Sequence, residues 1–371
     1  MTKVKFEDVA TRVNTREDRL NTSLLYYVGG EHIESNEMLV QGCGLIKGST
    51  IGPMFYCGFK KGDILLVSRN PHLRKASMVE FDGICSEKTF VLGTKDSKVL
   101  LQEFLALVMQ SDDFWNYCEE HKSGGVNYFL NWSTLAKYEF YLPSIQEQKE
   151  IADKVWSAYR LKESYKKLLV ATDEMVKSQF IEMFENVESY CKLEDLVSDT
   201  FPGEWGSEPI SENAIKVIRT TNFTNEGYLD LTDVVTRDIE PKKVVRKKLK
   251  QGDTILERSG GTKDNPVGRV VFFDEIGDYL PNNFTQVLRP KESVNPVYLF
   301  YALYNSYNLN KAAMRAMASQ TTGIQNLSMS DFMAKFIVLP SRNEQNKFEQ
   351  IYRQADKSKF GDFKSQFIEM F

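Results

Sequence analysis

The octapeptide Lys-Ser-Gln-Phe-Ile-Glu-Met-Phe occurs twice, at residues 177–184 and at 364–371. Eight identical positions do not recur by chance in a chain of 371 residues, so the sequence is read first as a duplication. The copies can be followed along the chain. Lys5-Phe6-Glu7-Asp8-Val9 answers to Lys192-Leu193-Glu194-Asp195-Leu196 at an offset of 187 (192 − 5), which is also the offset of the octapeptide. Tyr27-Val28-Gly29 falls on Val217-Ile218-Arg219, and Lys61-Gly62-Asp63 on Gln251-Gly252-Asp253, both at 190 (217 − 27). Leu142-Pro143-Ser144 with Glu147-Gln148 falls on Leu339-Pro340-Ser341 with Glu344-Gln345, at 197 (339 − 142). The ends of the two units agree and their middles have diverged, which points to two modules of different specificity on a shared frame.

Each unit has a mixed front half and a helical back half. Short β-type runs at 24–28, 63–67, 89–92, 216–219, 254–257, 269–273 and 285–288 are separated by glycine- and asparagine-rich turns. Aromatic helical stretches at 101–118 and 296–317 read as core packing. Ser144-Ile145-Gln146-Glu147 and Ser341-Arg342-Asn343-Glu344 both read as capping boxes after proline, where serine and glutamate satisfy each other's orphan backbone N–H groups. A helix over 147–184 follows the first box, with a stripe through Ile151, Val155, Ala158, Tyr165, Leu168, Met175, Phe180 and Met183. At about 1.5 Å per residue it spans ~57 Å and needs cover along its apolar side. The second copy, 344–371, would span ~42 Å and carries Phe348, Ile351, Tyr352, Ala355, Phe360, Phe363, Phe367 and Met370. Antiparallel pairing of the two stripes about a pseudo-two-fold is the expected solution; the alternative packs each helix on its own front half.

The catalytic motifs are missing. There is no Gly-x-x-x-x-Gly-Lys-Ser/Thr loop, no Gly-x-Gly after a strand, and Asn265-Pro266-Val267 lacks the second proline and aromatic of an amino-methyltransferase site. Asp82 with Glu87-Lys88 lacks the Glu-x-Lys order of a nuclease, and the three histidines are scattered. No catalytic residue and no metal ligand is assigned. A run of about 18 apolar residues is absent, so no membrane partner is expected. The polar N-terminus and five cysteines without a Cys-x-x-Cys pair fit a reduced cytoplasmic protein. A net charge of −4 disfavours nonspecific coating of nucleic acid but leaves room for a basic face.

Binding surface remains. Residues 242–250 carry six cations in nine positions, including Lys243, Arg246, Lys247 and Lys248, a run able to neutralise phosphates or simply to form a solvated face. After the Gly-Asp strand the first unit places Arg69, Asn70, His72, Arg74 and Lys75, and the second Arg258, Ser259 and Lys263. A later matched pair of polar loops holds Ser123 and Asn127 in one unit and Gln320, Thr321 and Thr322 in the other. Arg219, ending the strand over 216–219, completes the candidate set. These side-chain types read base edges and phosphates.

In Lys61-Gly62-Asp63-Ile64-Leu65, Gly125-Val126-Asn127…Leu135 and Leu142-Pro143-Ser144-Ile145-Gln146-Glu147-Gln148-Lys149-Glu150-Ile151-Ala152, with second copies at 250–253, 339–340 and 344–345, the chain resembles the DNA-specificity subunit of type I restriction–modification systems along essentially its whole length. The resemblance implies an α+β fold. Two α/β target recognition domains (1–143 and 187–340) would be joined by two long antiparallel spacer helices (144–186 and 341–371). It implies double-stranded DNA as ligand, two methyltransferase subunits and a restriction subunit as partners, and a cytoplasmic, nucleoid-associated location. S-adenosylmethionine would belong to the methyltransferase, leaving no cofactor in this chain. A standalone methyltransferase or nuclease, and a coiled-coil scaffold without a DNA role, are the competing readings. The second helix is shorter than the first, so part of the first is expected to be open to a partner or a second copy.

Overall fold

The computed structural model of the chain describes residues 2–210, 214–321 and 323–355, with only the backbone described at 320 and 321. It divides into two compact units, Met1–Lys166 and Lys167–Phe371.

In the first unit, Thr2–Lys5 pairs antiparallel with Glu139–Leu142, and one helical turn, Phe6–Val9, leads into a four-stranded antiparallel sheet. Its order is Ala10–Arg12, Thr89–Thr94, Ile64–Val67, Ala76–Met78. A five-stranded sheet lies beside it, with Tyr26–Val28 parallel to Gly83–Ser86. The second unit repeats the plan: Tyr190–Lys192 pairs with Phe336–Val338, Leu193–Leu196 forms the turn, and Val197–Pro202, Thr285–Pro290, Asp253–Glu257 and Val270–Phe273 follow in the same sheet order. Ile215–Ile218 runs parallel to Tyr279–Pro281. The correspondence reaches the register. Ile64 faces Met78 and Leu92; its counterpart Thr254 faces Phe272 and Leu288.

The unbroken apolar run Ile64-Leu65-Leu66 is a strand buried on both faces. Ile64 and Leu66 enter the cluster with Phe6, Leu92 and Phe104, while Leu65 enters the one with Val28 and Phe59, as a period of two requires. Asp253–Glu257 divides likewise, with Leu256 in the cluster of Tyr298 and Ile255 in that of Phe201. The Gly-Asp signature before each strand is a turn device. Gly62 and Gly252 sit at φ 93° and 91°, where a Cβ is strained. Asp63 and Asp253 accept from the N–H groups of Lys60 and Lys250, both at 2.8 Å.

Each aromatic stretch is two helices rather than one. Ser111 caps Asp112–Glu120, accepting from the Phe114 N–H at 3.3 Å, and so ends Gln102–Val108 before it. Asn310 caps Lys311–Ala316 the same way, separating it from Pro296–Leu309. A capping side chain in mid-pattern offers the backbone a competing partner.

Both capping boxes form. Ser144 and Glu147 exchange bonds of 2.9 and 3.3 Å, and Ser341 and Glu344 bonds of 2.8 and 3.4 Å. The glutamine after each box staples the helix to its own unit. Gln148, fully buried, accepts from Leu101 N and donates to Val99 O and Pro143 O at 2.9–3.0 Å. Gln345 accepts from Asn295 N at 2.8 Å and donates to Pro340 O at 2.9 Å. Gln148→Ala strands three backbone groups and is expected to destabilise the first unit by about 1–3 kcal/mol in urea unfolding. A change below the error of that measurement would show that the staple is redundant.

The long helix, Ile145–Phe184, has 40 residues. Its first part packs on the first unit through Ala152, Trp156 and Tyr159, and Tyr159, Lys162 and Lys166 all reach Glu37. Burial works against ionisation of Glu37, but the Tyr159 hydroxyl and the two lysines outweigh it and hold its pKa below the ordinary value. In the second unit, Phe180 and Phe184 meet Phe348 of the helix Arg342–Gln354 edge to face, at 5.0 and 5.9 Å between ring centres. Val176 and Lys177 line a cleft with Tyr352 and Ala355, so the two helices run antiparallel where they are described. Phe360, Phe363, Phe367, Met370 and the second octapeptide lie outside the described residues.

Candidate nucleic-acid interface

In both units the two loops singled out in the sequence meet. The chain leaving Ile64–Val67 passes Ser68, whose N–H donates to Lys88 O at 2.8 Å and whose carbonyl accepts from Leu130 N at 2.8 Å. Arg69 bridges Phe129, and Asn70 N donates to Tyr128 O at 2.9 Å. In the second unit Arg258 N donates to Phe284 O at 2.9 Å and its carbonyl accepts from Leu327 N at 2.8 Å. Ser259 and Gly260 then pair with Asn326 and Gln325. Segments more than fifty positions apart in sequence thus form one surface, built by the same backbone bonds in both repeats.

The side chains on this frame differ. In the first unit a cleft of about 390 Å³ is lined by Arg12, Arg69, Glu87, Lys88, Asn131 and Trp132, among others. Arg12 lies over the Phe90 ring at 4.8 Å and Arg69 over Phe129 at 5.3 Å, each guanidinium held by an aromatic face. Glu87 takes Lys88 at 2.7 Å and the Tyr56 hydroxyl at 3.1 Å; Lys88 first and then Tyr56 hold its pKa low. At the equivalent place the second unit carries a polar chain: Arg258 to Gln286 at 3.5 Å, Gln286 to Thr200 at 2.8 Å, and Ser259 to Asn326 at 2.7 Å. A buried pair, Glu257 with Arg269 at 2.7 Å, supports the loop from below. Tyr307 donates to Pro266 O at 2.9 Å, and burial pushes its hydroxyl up to about 12. Lys311 and Arg315 hold Asn265 and the Lys263 carbonyl at 2.8 and 2.7 Å, leaving the Lys263 side chain in solvent.

The remaining candidates divide by what already holds them. His72 and Asn127 are exposed. Arg74 is paired with Asp112 at 2.6 Å, Lys75 donates to Gly30 O at 2.7 Å, and Ser123 accepts from Asn131 at 3.2 Å. Asn70 and Arg74 both adopt positive φ, bracketing the turn Pro71–Leu73. Arg219 is engaged by Asp233 at 2.8 Å and helps cap the turn Thr220–Asn222. The basic run forms the helix Pro241–Lys247. There Lys243 and Lys247 reach Glu204 at 3.4 and 2.6 Å, and Lys248 pairs with Asp278. Arg246 is exposed and has no acidic partner among the described residues. Gln320 and Thr321 lie on the strand Ala318–Thr321, paired with Ile324–Leu327; their side chains, and Thr322 as a whole, are outside the described residues. Arg12, Lys88, Asn131 and Trp132 escaped sequence reading.

Among the described residues no group of three or more His, Cys, Asp or Glu side chains is placed to hold a metal, and no helix is long and apolar enough to cross a membrane.

The profile of the type I restriction modification DNA specificity domain matches the chain twice, at residues 27–169 and 200–360. No curated protein sequence matches it. Among solved structures, the chain is similar to a type I restriction–modification S subunit from M. genitalium, at 13% identity, over 99% of this chain and 92% of that one, with a TM-score of 0.66. It is also similar to a chain from a study of complex assembly and conformational transition of the type I R-M system, at 16% identity, over 100% and 95%, with a TM-score of 0.50. With both repeats matched over most of their length, the chain belongs to the family of type I restriction–modification DNA-specificity subunits.

Proposed function

We propose that each unit reads one half of a bipartite double-stranded DNA target through its paired loops, and that the spacer helices fix the gap between the halves. Supporting this is one observation: the same backbone frame presents an aromatic-backed cationic cleft in one repeat and an amide–hydroxyl chain in the other. Unlike surfaces on one frame suit two unlike half-sites. The recognition domains are taken as 1–143 and 187–340, and the spacers as 144–186 and 341–371. Phosphate contacts from Arg246 and its neighbours would position the second domain, and base contacts from Arg69 and Arg258 would specify. Half-sites read from one DNA face lie about 34–36 Å apart per helical turn, within reach of a 40-residue helix of ~60 Å.

Two methyltransferase subunits and a restriction subunit are the proposed partners. Adenine methylation, cleavage and S-adenosylmethionine binding belong to them, and the complex works on the nucleoid in the cytoplasm. The similarity to a chain solved in a study of complex assembly favours partner subunits over an isolated scaffold.

The test maps methylated adenines in cells carrying this chain and its methyltransferase partner. Arg69→Ala is expected to relax bases of the first half-site alone and Arg258→Ala those of the second, each by about 1–3 kcal/mol of discrimination. Equal loss across all sequences would reassign both as phosphate contacts. A methylation pattern indifferent to the presence of this chain would overturn the function.

A further inference from the structure

Five cysteines are spread along the chain, and two of them meet. Phe55–Phe59 and Gly83–Ser86 are antiparallel neighbours with Cys57 directly opposed to Cys85. Opposed residues of an antiparallel pair project to the same face, and both thiols join the apolar cluster of Val28, Phe59 and Leu65. Opposed Cα atoms lie about 4.5 or 5.5 Å apart, inside the about 4.4–6.8 Å that a disulfide spans.

The two sulfurs differ in access and in charge. Cys57 is half-buried and Cys85 wholly buried. The strand Thr15–Arg16 sets Arg16 opposite Cys57. The adjoining Cys85 thiol, with Arg12 and Arg16 nearby, draws the Cys57 thiol down to about 7 against the pull of burial. Cys85 moves the other way, through the adjoining Cys57 thiol and burial. A low, accessible thiol beside a high, buried one is the arrangement of an attacking and a resolving cysteine. Cys43 is exposed but has no such neighbour, and burial pushes the Cys118 thiol up to about 12.

Both cysteines adjoin the recognition cleft. Cys85 leads through Ser86 into Glu87 and Lys88, which line it, and Tyr56, next to Cys57, donates to Glu87 at 3.1 Å. We propose that Cys57 and Cys85 form a dithiol site for low-molecular-weight disulfides, closing to a cross-strand disulfide that alters the rim of the first unit's cleft. The Cys57 thiolate attacks one sulfur of the small disulfide, forming a mixed disulfide and releasing one thiolate. Cys85 then attacks the Cys57 sulfur and expels the second thiolate, which takes up the Cys85 proton. The two electrons leaving the protein dithiol reduce the small disulfide to two thiols. The effect on recognition rests on the half-site reading above; the site itself does not.

The full chain is treated with glutathione disulfide, alkylated and mapped by mass spectrometry. We expect a Cys57–Cys85 linked peptide lacking both thiol hydrogens, reversed by dithiothreitol, while Cys43 carries only a glutathione adduct. Cys85→Ser should stop at the mixed disulfide on Cys57. A stable adduct on Cys57 in the wild-type chain, or an unmodified Cys57 where Cys43 reacts, overturns the proposal; the wild-type map decides even if the variant fails to fold. If the linked peptide forms, oxidation is expected to change DNA selectivity at the first half-site and not the second. An unchanged selectivity would remove the coupling to recognition and leave the dithiol site standing.

Discussion

Arg289→Met is expected to destabilise the second unit by about 3–5 kcal/mol, the cost of stranding a buried charge. Asp253 is 1% exposed and receives both prongs of the Arg289 guanidinium, at 2.8 and 2.7 Å. Arg289 also donates to Lys248 O at 3.2 Å, tying the basic helix's exit to the central strand. Without it the carboxylate keeps, among the described residues, only the Lys250 N–H at 2.8 Å. Hydrogen exchange read by mass spectrometry should report faster exchange across Asp253–Glu257 and unchanged exchange across Ile64–Val67. The double variant Asp253→Asn/Arg289→Met should recover most of the loss, because an uncharged pair needs no counter-ion. Equal softening of both units, or none, would show that the pair does not support this strand. Among the described residues Asp63, at the same point of the same turn in the first unit, has no such partner, and its carboxyl is pushed above the usual range, mainly by burial.

Phe348→Ala is the second large effect expected, about 3–5 kcal/mol for a fully buried phenylalanine whose site cannot collapse. Its ring lies 5.0 Å from Phe180 and from Tyr301, and 5.9 Å from Phe184. It is the knot between the end of the long helix, the aromatic helix Pro296–Leu309 and the helix Arg342–Gln354. Amides at 176–184 should exchange faster, while those at 148–159, packed on the first unit, keep their protection. If 148–159 loosens as well, the two parts of the long helix are not independently anchored.

The repeat made much of the fold legible. Every β-type run identified in the sequence contains a strand, though the run over 24–28 narrows to Tyr26–Val28, because the alternation or doubling of apolar residues that marks a strand is a local property. The capping boxes placed the long helix to within two residues, at Ile145 rather than 147, since the caps are local chemistry too. The aromatic stretches were read as single helices because Ser111 and Asn310 are unremarkable in sequence until their side chains turn onto the backbone. The Gly-Asp and Glu-Gln signatures were visible as motifs, but their purpose was not. Gln148 works through Leu101 and Val99, nearly fifty positions away.

The repeat and its caps determined that there are two copies of one frame, with a long helix after the first. The tertiary structure alone decided which polar residues share a surface. It brought Arg69 to Phe129 and Ser259 to Asn326, placed Arg12 and Lys88 at the same cleft, and committed Arg74, Arg219 and Lys247 to acidic neighbours. Periodicity and capping are set by residues a few positions apart, and so can be read along the chain. A recognition surface is assembled from strands and loops paired across long separations, and the pairing leaves no mark on the sequence of either partner.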